Sequence, residues 1–180
     1  MTEQPLLSGF LALLRAALPD DGRIQDLLLG LPGPVYHDLA RHLAPHLHDF
    51  DVVLALPDGL KLAEYLTQAL GLPLVRVQGR SPQSGTGDWK IDALLLQNRP
   101  RGLLVSRELS GGVAEMEITV MAQGLGCEVR ALACTLERST DQGRHRLLQL
   151  GVQTHAAVRI AQIPTGWIIE RRGLDVSRGN

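Results

Sequence analysis

Aromatic residues make up only 3% of this 180-residue sequence, which leaves few rings for a platform on which bases could stack. Trp89 and Trp167 are the two indoles, and although either ring could stack on a nucleobase, packing in the core is the favoured reading of both. Cysteine is scarce as well. Cys127 and Cys134 form no CxxC and have no second cluster, so neither a zinc site nor a redox pair is supported, and both read as small core residues. Charge of one sign is also missing. The formal net charge of −1 and the lack of a dense Lys/Arg block argue against a nucleic-acid partner, whose binding rests on many phosphate contacts. The longest apolar runs are broken at Arg15, Asp26 or Pro73, short of the roughly 20 residues that span a bilayer. Glu3 stands where a secretory leader carries basic residues. The expectation is a cytoplasmic protein with no membrane partner.

What is present is enough apolar material, 44%, for one compact α/β domain. Leu6, Leu7, Phe10, Leu11, Leu14 and Leu18 make a helical stripe that stops at Pro19-Asp20. A second helical pattern runs through Tyr36, Leu39, Ala40 and Leu43. Asp51–Leu56 (DVVLAL) then reads as a strand buried on both faces. Pro57-Asp58-Gly59 supplies a turn, Leu60–Leu70 a helix, Gly71 its stop, and Leu74–Val77 the next strand. Residues 79–88 (GRSPQSGTGD) read as a polar loop of the kind that covers a site. After an apolar stretch at 89–97, strands are expected at 102–105 and 128–136, a helix at 144–150, and two short strands at 156–163 and 167–171 that pair around Pro164-Thr165-Gly166.

The segment between the second pair of strands carries the most information. The apolar run Gly102–Val105 stops at Ser106, and Ser110-Gly111-Gly112 opens a helix whose apolar residues Val113, Met116, Val120 and Met121 recur at helical spacing. Amides at a helix N-terminus, cleared of side chains by glycine, bind anions through hydrogen bonds and the helix dipole. The same two glycines also suit a plain tight turn, so the pattern alone leaves both readings open.

In this order the pieces resemble the type I phosphoribosyltransferases, the adenine and xanthine members above all. DVVLALPDGLKLAEYLTQALGLPLVRVQ is similar to the first strand, pyrophosphate loop, helix and second strand of that family. GLLVSRELSGGVAEMEITVMAQGLGCEVRALACTLER is similar to its phosphoribosyl pyrophosphate motif, and RLLQLGVQTHAAVRI to the C-terminal stretch of the purine members. The resemblance implies an α/β fold of phosphoribosyltransferase type I, a mostly parallel sheet flanked by helices with a small hood region. The whole chain is then one domain, with the hood at 1–48, the α/β core at 49–163 and a C-terminal strand and tail at 164–180. A homodimer is implied as well.

The site residues carried over are the pyrophosphate loop Asp58, Gly59 and Lys61, with Arg80 on the flexible loop. In the family two adjacent acids hold the ribose hydroxyls, and a Thr-Gly-Gly-Thr-like loop cradles the 5′-phosphate. Aligned on the strand, those acids fall on Ser106 and Arg107 and the cradle on Gly111, Gly112, Val113 and Ala114. Aligned on the glycines, the acids fall on Val105 and Ser106, with Ser110 opening the cradle. Neither register keeps an acid, and Ser is a weak neutral acceptor while Arg accepts nothing. Glu108 is the candidate catalytic acid in their place, against the alternative of an ion-paired loop carboxylate. Gln78-Gly79 stands where purine members often carry Arg-Lys, leaving Arg76, Arg80 or Lys61 to supply cationic help.

Three readings follow. The first is a phosphoribosyltransferase-related protein that binds a phosphorylated ribose or purine nucleotide, with catalysis weakened or lost. The second is an active purine phosphoribosyltransferase that transfers phosphoribosyl from phosphoribosyl pyrophosphate to a base in nucleotide salvage, and Mg²⁺ is expected only on this reading. The third is a dimeric interaction module without a ligand. No metal site is expected from the chain itself: His42 and His46 share a helical face, but Pro45 lies between them and no HExxH follows, which favours a polar helix edge. Ser106, Ser110 and His155 lack a G-x-S-x-G turn, so hydrolase chemistry is unsupported.

Overall fold

The computed structural model describes residues 5–79 and 87–170. The expectation for a loop at 79–88, Arg80 included, falls almost wholly outside them. Three helices lead: α1 (Ser8–Ala17), α2 (Asp21–Leu29) and α3 (Gly33–Leu43). There follow β1 (Val52–Ala55), α4 (Leu60–Leu70), β2 (Leu74–Arg76), the one-turn α5 (Ala93–Leu96), β3 (Arg101–Leu109), α6 (Val113–Gly124), β4 (Glu128–Arg138), α7 (Gly143–Gln149), β5 (Gln153–Ile163) and β6 (Gly166–Ile169). Among the described residues the strands form one six-stranded sheet in the order β2-β1-β3-β4-β5-β6. All neighbours are parallel except β5 and β6, which make an antiparallel hairpin.

The order dictates where the helices go. The chain steps from β1 outward to β2, returns across β1 to β3, and continues the other way to β4 and β5. Right-handed crossovers in opposite directions put their helices on opposite faces. Leu62, Ala63 and Leu66 of α4 accordingly join one apolar cluster with α1–α3 and Val53, Leu103 and Val105 of the sheet. Ile118 and Ala122 of α6, Leu147 of α7 and Leu96 of α5 join the other, against Val52, Leu54, Leu104 and Leu132. β1 is buried at every position because both faces are covered.

Three sequence expectations are corrected. Helix α2 has no counterpart in the sequence pattern: Asp20, which reads only as a stop, is also the N-cap of the next helix, its carboxylate accepting from Arg23 N at 3.1 Å. Strand β3 does not end at Ser106 but continues through Arg107 and Glu108 to Leu109, because β4 extends beside it and pairs Ser106 with Cys134, Glu108 with Leu136 and Leu109 with Glu137. Backbone pairing there overrides side-chain polarity. Helix α6 has the expected period but a different phase. Its buried residues are Glu115, Ile118, Thr119 and Ala122, whereas Val113 and Val120 are exposed. The helix is apolar on several sides, so pattern alone does not fix its inner face.

One charged cluster ties the N-terminal helices to the sheet. Arg138, nearly buried at the end of β4, donates from Nε to Glu108 of β3 and pairs through Nη1 with Asp21 of α2. Gln25 Nε2 of α2 donates to the second Glu108 oxygen at 2.7 Å, and the Arg138 guanidinium lies 4.5 Å from the centre of the Trp167 ring on β6. Removing one partner of a buried pair strands the other charge. Arg138→Met is therefore expected to cost about 3 kcal/mol in urea unfolding, and adding Glu108→Gln should restore at least half of that loss.

Candidate ligand-binding site at the sheet switch point

Strand order reverses between β1 and β3, and in open α/β sheets such a point leaves a crevice beyond the carboxyl ends of the two strands. The chain fills that position with the segments singled out in the sequence. Pro57–Gly59 forms a 3₁₀ turn after β1, and Ser110-Gly111-Gly112 joins β3 to α6. The two are brought together by glycine. A Cβ on Gly59 would lie 2.5 Å from the Val105 carbonyl oxygen and 2.6 Å from Ser106 Cα, so no other residue fits without moving β3. Gly59 has an ordinary backbone, φ −88°, and close approach rather than an unusual conformation is what requires it. Gly112 is different: it is the N-cap of α6 at φ 72°, left-handed, and a Cβ there would meet Gly143 Cα at 2.8 Å.

The cradle Ser110–Ala114 is thus held from behind by α7. Gly143 N donates to the Ser110 carbonyl at 2.8 Å, and Arg146 Nη1 donates to the Gly111 carbonyl at 2.7 Å. With no side chain at the N-cap, the first turn of α6 presents amides and the positive end of a twelve-residue helix. Val113 is half exposed and Ala114 partly buried.

The charges around the crevice are mixed. Asp58 is open to solvent at its outer edge, yet the protein packed on its inner side raises its pKa; the Arg107 guanidinium and the amides of Arg107, Asp58 and Gly59 oppose that rise. Tyr36 reaches the same place from α3, its hydroxyl pKa raised by burial, lowered by Arg107 and raised by Asp58. Ser106 is completely buried, and among the described residues its Oγ has no aligned hydrogen-bond partner; nor has the buried Nε of Arg107.

Glu115, which no sequence motif singles out, lies under this floor. Burial pushes its pKa up to about 7, with Asp58 and Glu108 adding to the rise and its own amide and the Ser106 hydroxyl opposing it. An acid at the third position of a helix that follows a glycine turn is the available signal.

The remaining candidates fall away from the crevice. Both Glu108 oxygens are engaged, by Arg138 and Gln25, which is the ion-paired alternative rather than a poised acid. Lys61 and Arg76 share Glu64, at 3.7 and 3.4 Å, on the exposed surface. His42 is buried, not a polar edge, and packs edge-on against His46 with ring centres 6.2 Å apart. Among the described residues no group of three or more His, Cys, Asp or Glu side chains could hold a metal. Trp89 is buried, its indole N–H donating to Glu117 of α6 at 2.6 Å, beside the Gly87 amide on the same carboxylate at 3.0 Å. Among the described residues no helix is long and apolar enough to cross a membrane.

This architecture is the type I phosphoribosyltransferase fold, which solved enzymes acting on purines and pyrimidines share. The adenine phosphoribosyltransferase of Thermoanaerobacter pseudethanolicus superposes with a TM-score of 0.63 at 20% identity, over 73% of this chain and 84% of that one. The Giardia lamblia enzyme solved with 9-deazaadenine gives 0.62 at 15% identity, over 76% and 84%. The orotate phosphoribosyltransferase of Aeropyrum pernix gives 0.52 at 18% identity, over 81% and 76%. No protein-family model and no curated relative matches the sequence.

Two outcomes test this geometry. Gly59→Ala should destabilise the protein by about 3 kcal/mol, the upper range for forcing a methyl group into a packed contact, read as a lowered urea midpoint. For Glu115 the proton is held more tightly in the folded state than at its ordinary value of 4.5, so stability falls as pH rises from 4.5 to about 7 and then levels off. Glu115→Gln should therefore be worth about 3 kcal/mol at pH 8 and almost nothing at pH 4, since each tenfold gain in proton affinity corresponds to about 1.36 kcal/mol. A difference independent of pH would show that the carboxyl is not buried in this way.

Proposed function

We propose that the protein binds a phosphorylated ribose or a purine nucleotide in the switch-point crevice, with phosphoribosyl transfer weakened or lost. The observation that carries this reading is the α6 N-terminus: a left-handed Gly112 opens it without a side-chain cap, and Val113 turns outward instead of filling it. That arrangement suits a phosphate, whose oxygens accept from several amides at once. Weak catalysis is argued from Ser106 and Arg107, which offer no carboxylate to a ribose diol, and from Glu108, already committed to Arg138. A place in purine salvage, a cytoplasmic setting and a homodimer belong to the same proposal and rest on the resemblance.

Val113→Asp is the decisive variant. A carboxylate at the first helical position favours the helix through its dipole but repels a phosphate from the same amides. Ribose 5-phosphate binding, followed by calorimetry, should weaken by about tenfold or more while the melting temperature does not fall. Unchanged affinity would place the phosphate elsewhere. Mixing the protein with phosphoribosyl pyrophosphate, adenine and Mg²⁺ should release little or no pyrophosphate, and robust release would restore the active-transferase reading.

A further inference from the structure

We propose that the crevice takes its phosphate ligand without a divalent cation, the Arg107 guanidinium supplying the positive charge from within the chain. The inference rests on the phosphate-binding reading above and specifies how that site is neutralised.

Mg²⁺ demands oxygen ligands in near-octahedral array, commonly one or two carboxylates together with substrate oxygens. The acids near this crevice do not supply them. Asp58 accepts from the amides of Arg107 and Gly59 and faces the Arg107 charge. Glu108 is held by Arg138 and Gln25. Glu115 is buried on the inner side of α6. The residues that replace the two acids of the motif are a hydroxyl and a cation, so a divalent ion placed there would meet a fixed like charge at short range.

One buried polar atom points the same way. Among the described residues, the buried Nε of Arg107 lacks a hydrogen-bond partner, whereas the Ser106 hydroxyl on the same strand faces Glu115. Buried donors are rarely left unmatched, and a ligand oxygen is the acceptor this one lacks. A guanidinium meets a phosphate through paired N–H groups and keeps its charge at any physiological pH. Arg107 is also well placed to do so. It follows Ser106 in β3, against which Gly59 of the turn after β1 packs, and its charge acts on Asp58 of that turn and on Tyr36 of α3.

The test is calorimetric titration of the full chain with adenosine 5′-monophosphate and with ribose 5-phosphate, in EDTA and in Mg²⁺. Dissociation constants equal within about twofold in the two buffers are expected, with Arg107→Gln weakening binding by about tenfold to a hundredfold in both. Should that variant unfold, as circular dichroism would reveal, Arg107→Lys keeps the charge but not the fork and is expected to bind with intermediate affinity. Binding that strengthens about tenfold or more with Mg²⁺, or that ignores substitution of Arg107, overturns the proposal while leaving phosphate binding intact. No binding of either compound in either buffer overturns both.

Discussion

The backbone of Gly59 lies so close to Val105 and Ser106 that a single methyl group would separate the two halves of the crevice. Strand order makes this contact necessary. Between β1 and β3 the chain leaves in opposite directions, α4 to one face and α6 to the other, and the turn after β1 reaches the end of β3 from the α4 side. Gly143 plays the same part behind the cradle, where a Cβ would lie 2.2 Å from the Ser110 carbonyl oxygen. Backbone packed on backbone leaves few rotamers to adjust, so the two loops are fixed relative to each other.

Within that frame the charges are mixed. Arg107 brings a cation to the end of β3, and Glu115 holds an acid in the interior. Asp58 at the rim keeps one negative charge against them. The Glu115 carboxyl, its pKa raised to about 7 by burial, stands apart from the ion pairs that anchor Glu108 and Glu137. Glu137 is fully buried and matched by Arg144 through two hydrogen bonds, an arrangement that holds α7 to the end of β4.

Much of the fold is legible in the sequence because its signals are local. The run at 51–56 and the helix Leu60–Leu70 with its glycine stop at φ 68° are written in adjacent residues. The order of strand, turn and helix also announces the turn at Ser110–Gly112 that opens α6. What stays hidden depends on partners distant in sequence. The extension of β3 to Leu109 requires β4 alongside, the inner face of α6 requires the sheet beneath, and the capture of Glu108 requires Gln25 and Arg138, 83 and 30 residues away. Glu115 is hidden for the same reason: nothing nearby in sequence says that a charged residue turns inward.

The indole of Trp89 hangs by its N–H from Glu117, two residues along α6 from Glu115, and the Gly87 amide shares that carboxylate. Next to Trp89, Lys90 forms an antiparallel bridge with Gln78 through bonds of 2.9 and 2.8 Å. One of only two tryptophans in the chain is therefore wired to the helix that opens at Gly112. Its emission is a built-in optical gauge of that helix: a displacement of α6 that lengthens the indole hydrogen bond alters the polarity around the ring and shifts its colour, with no label attached.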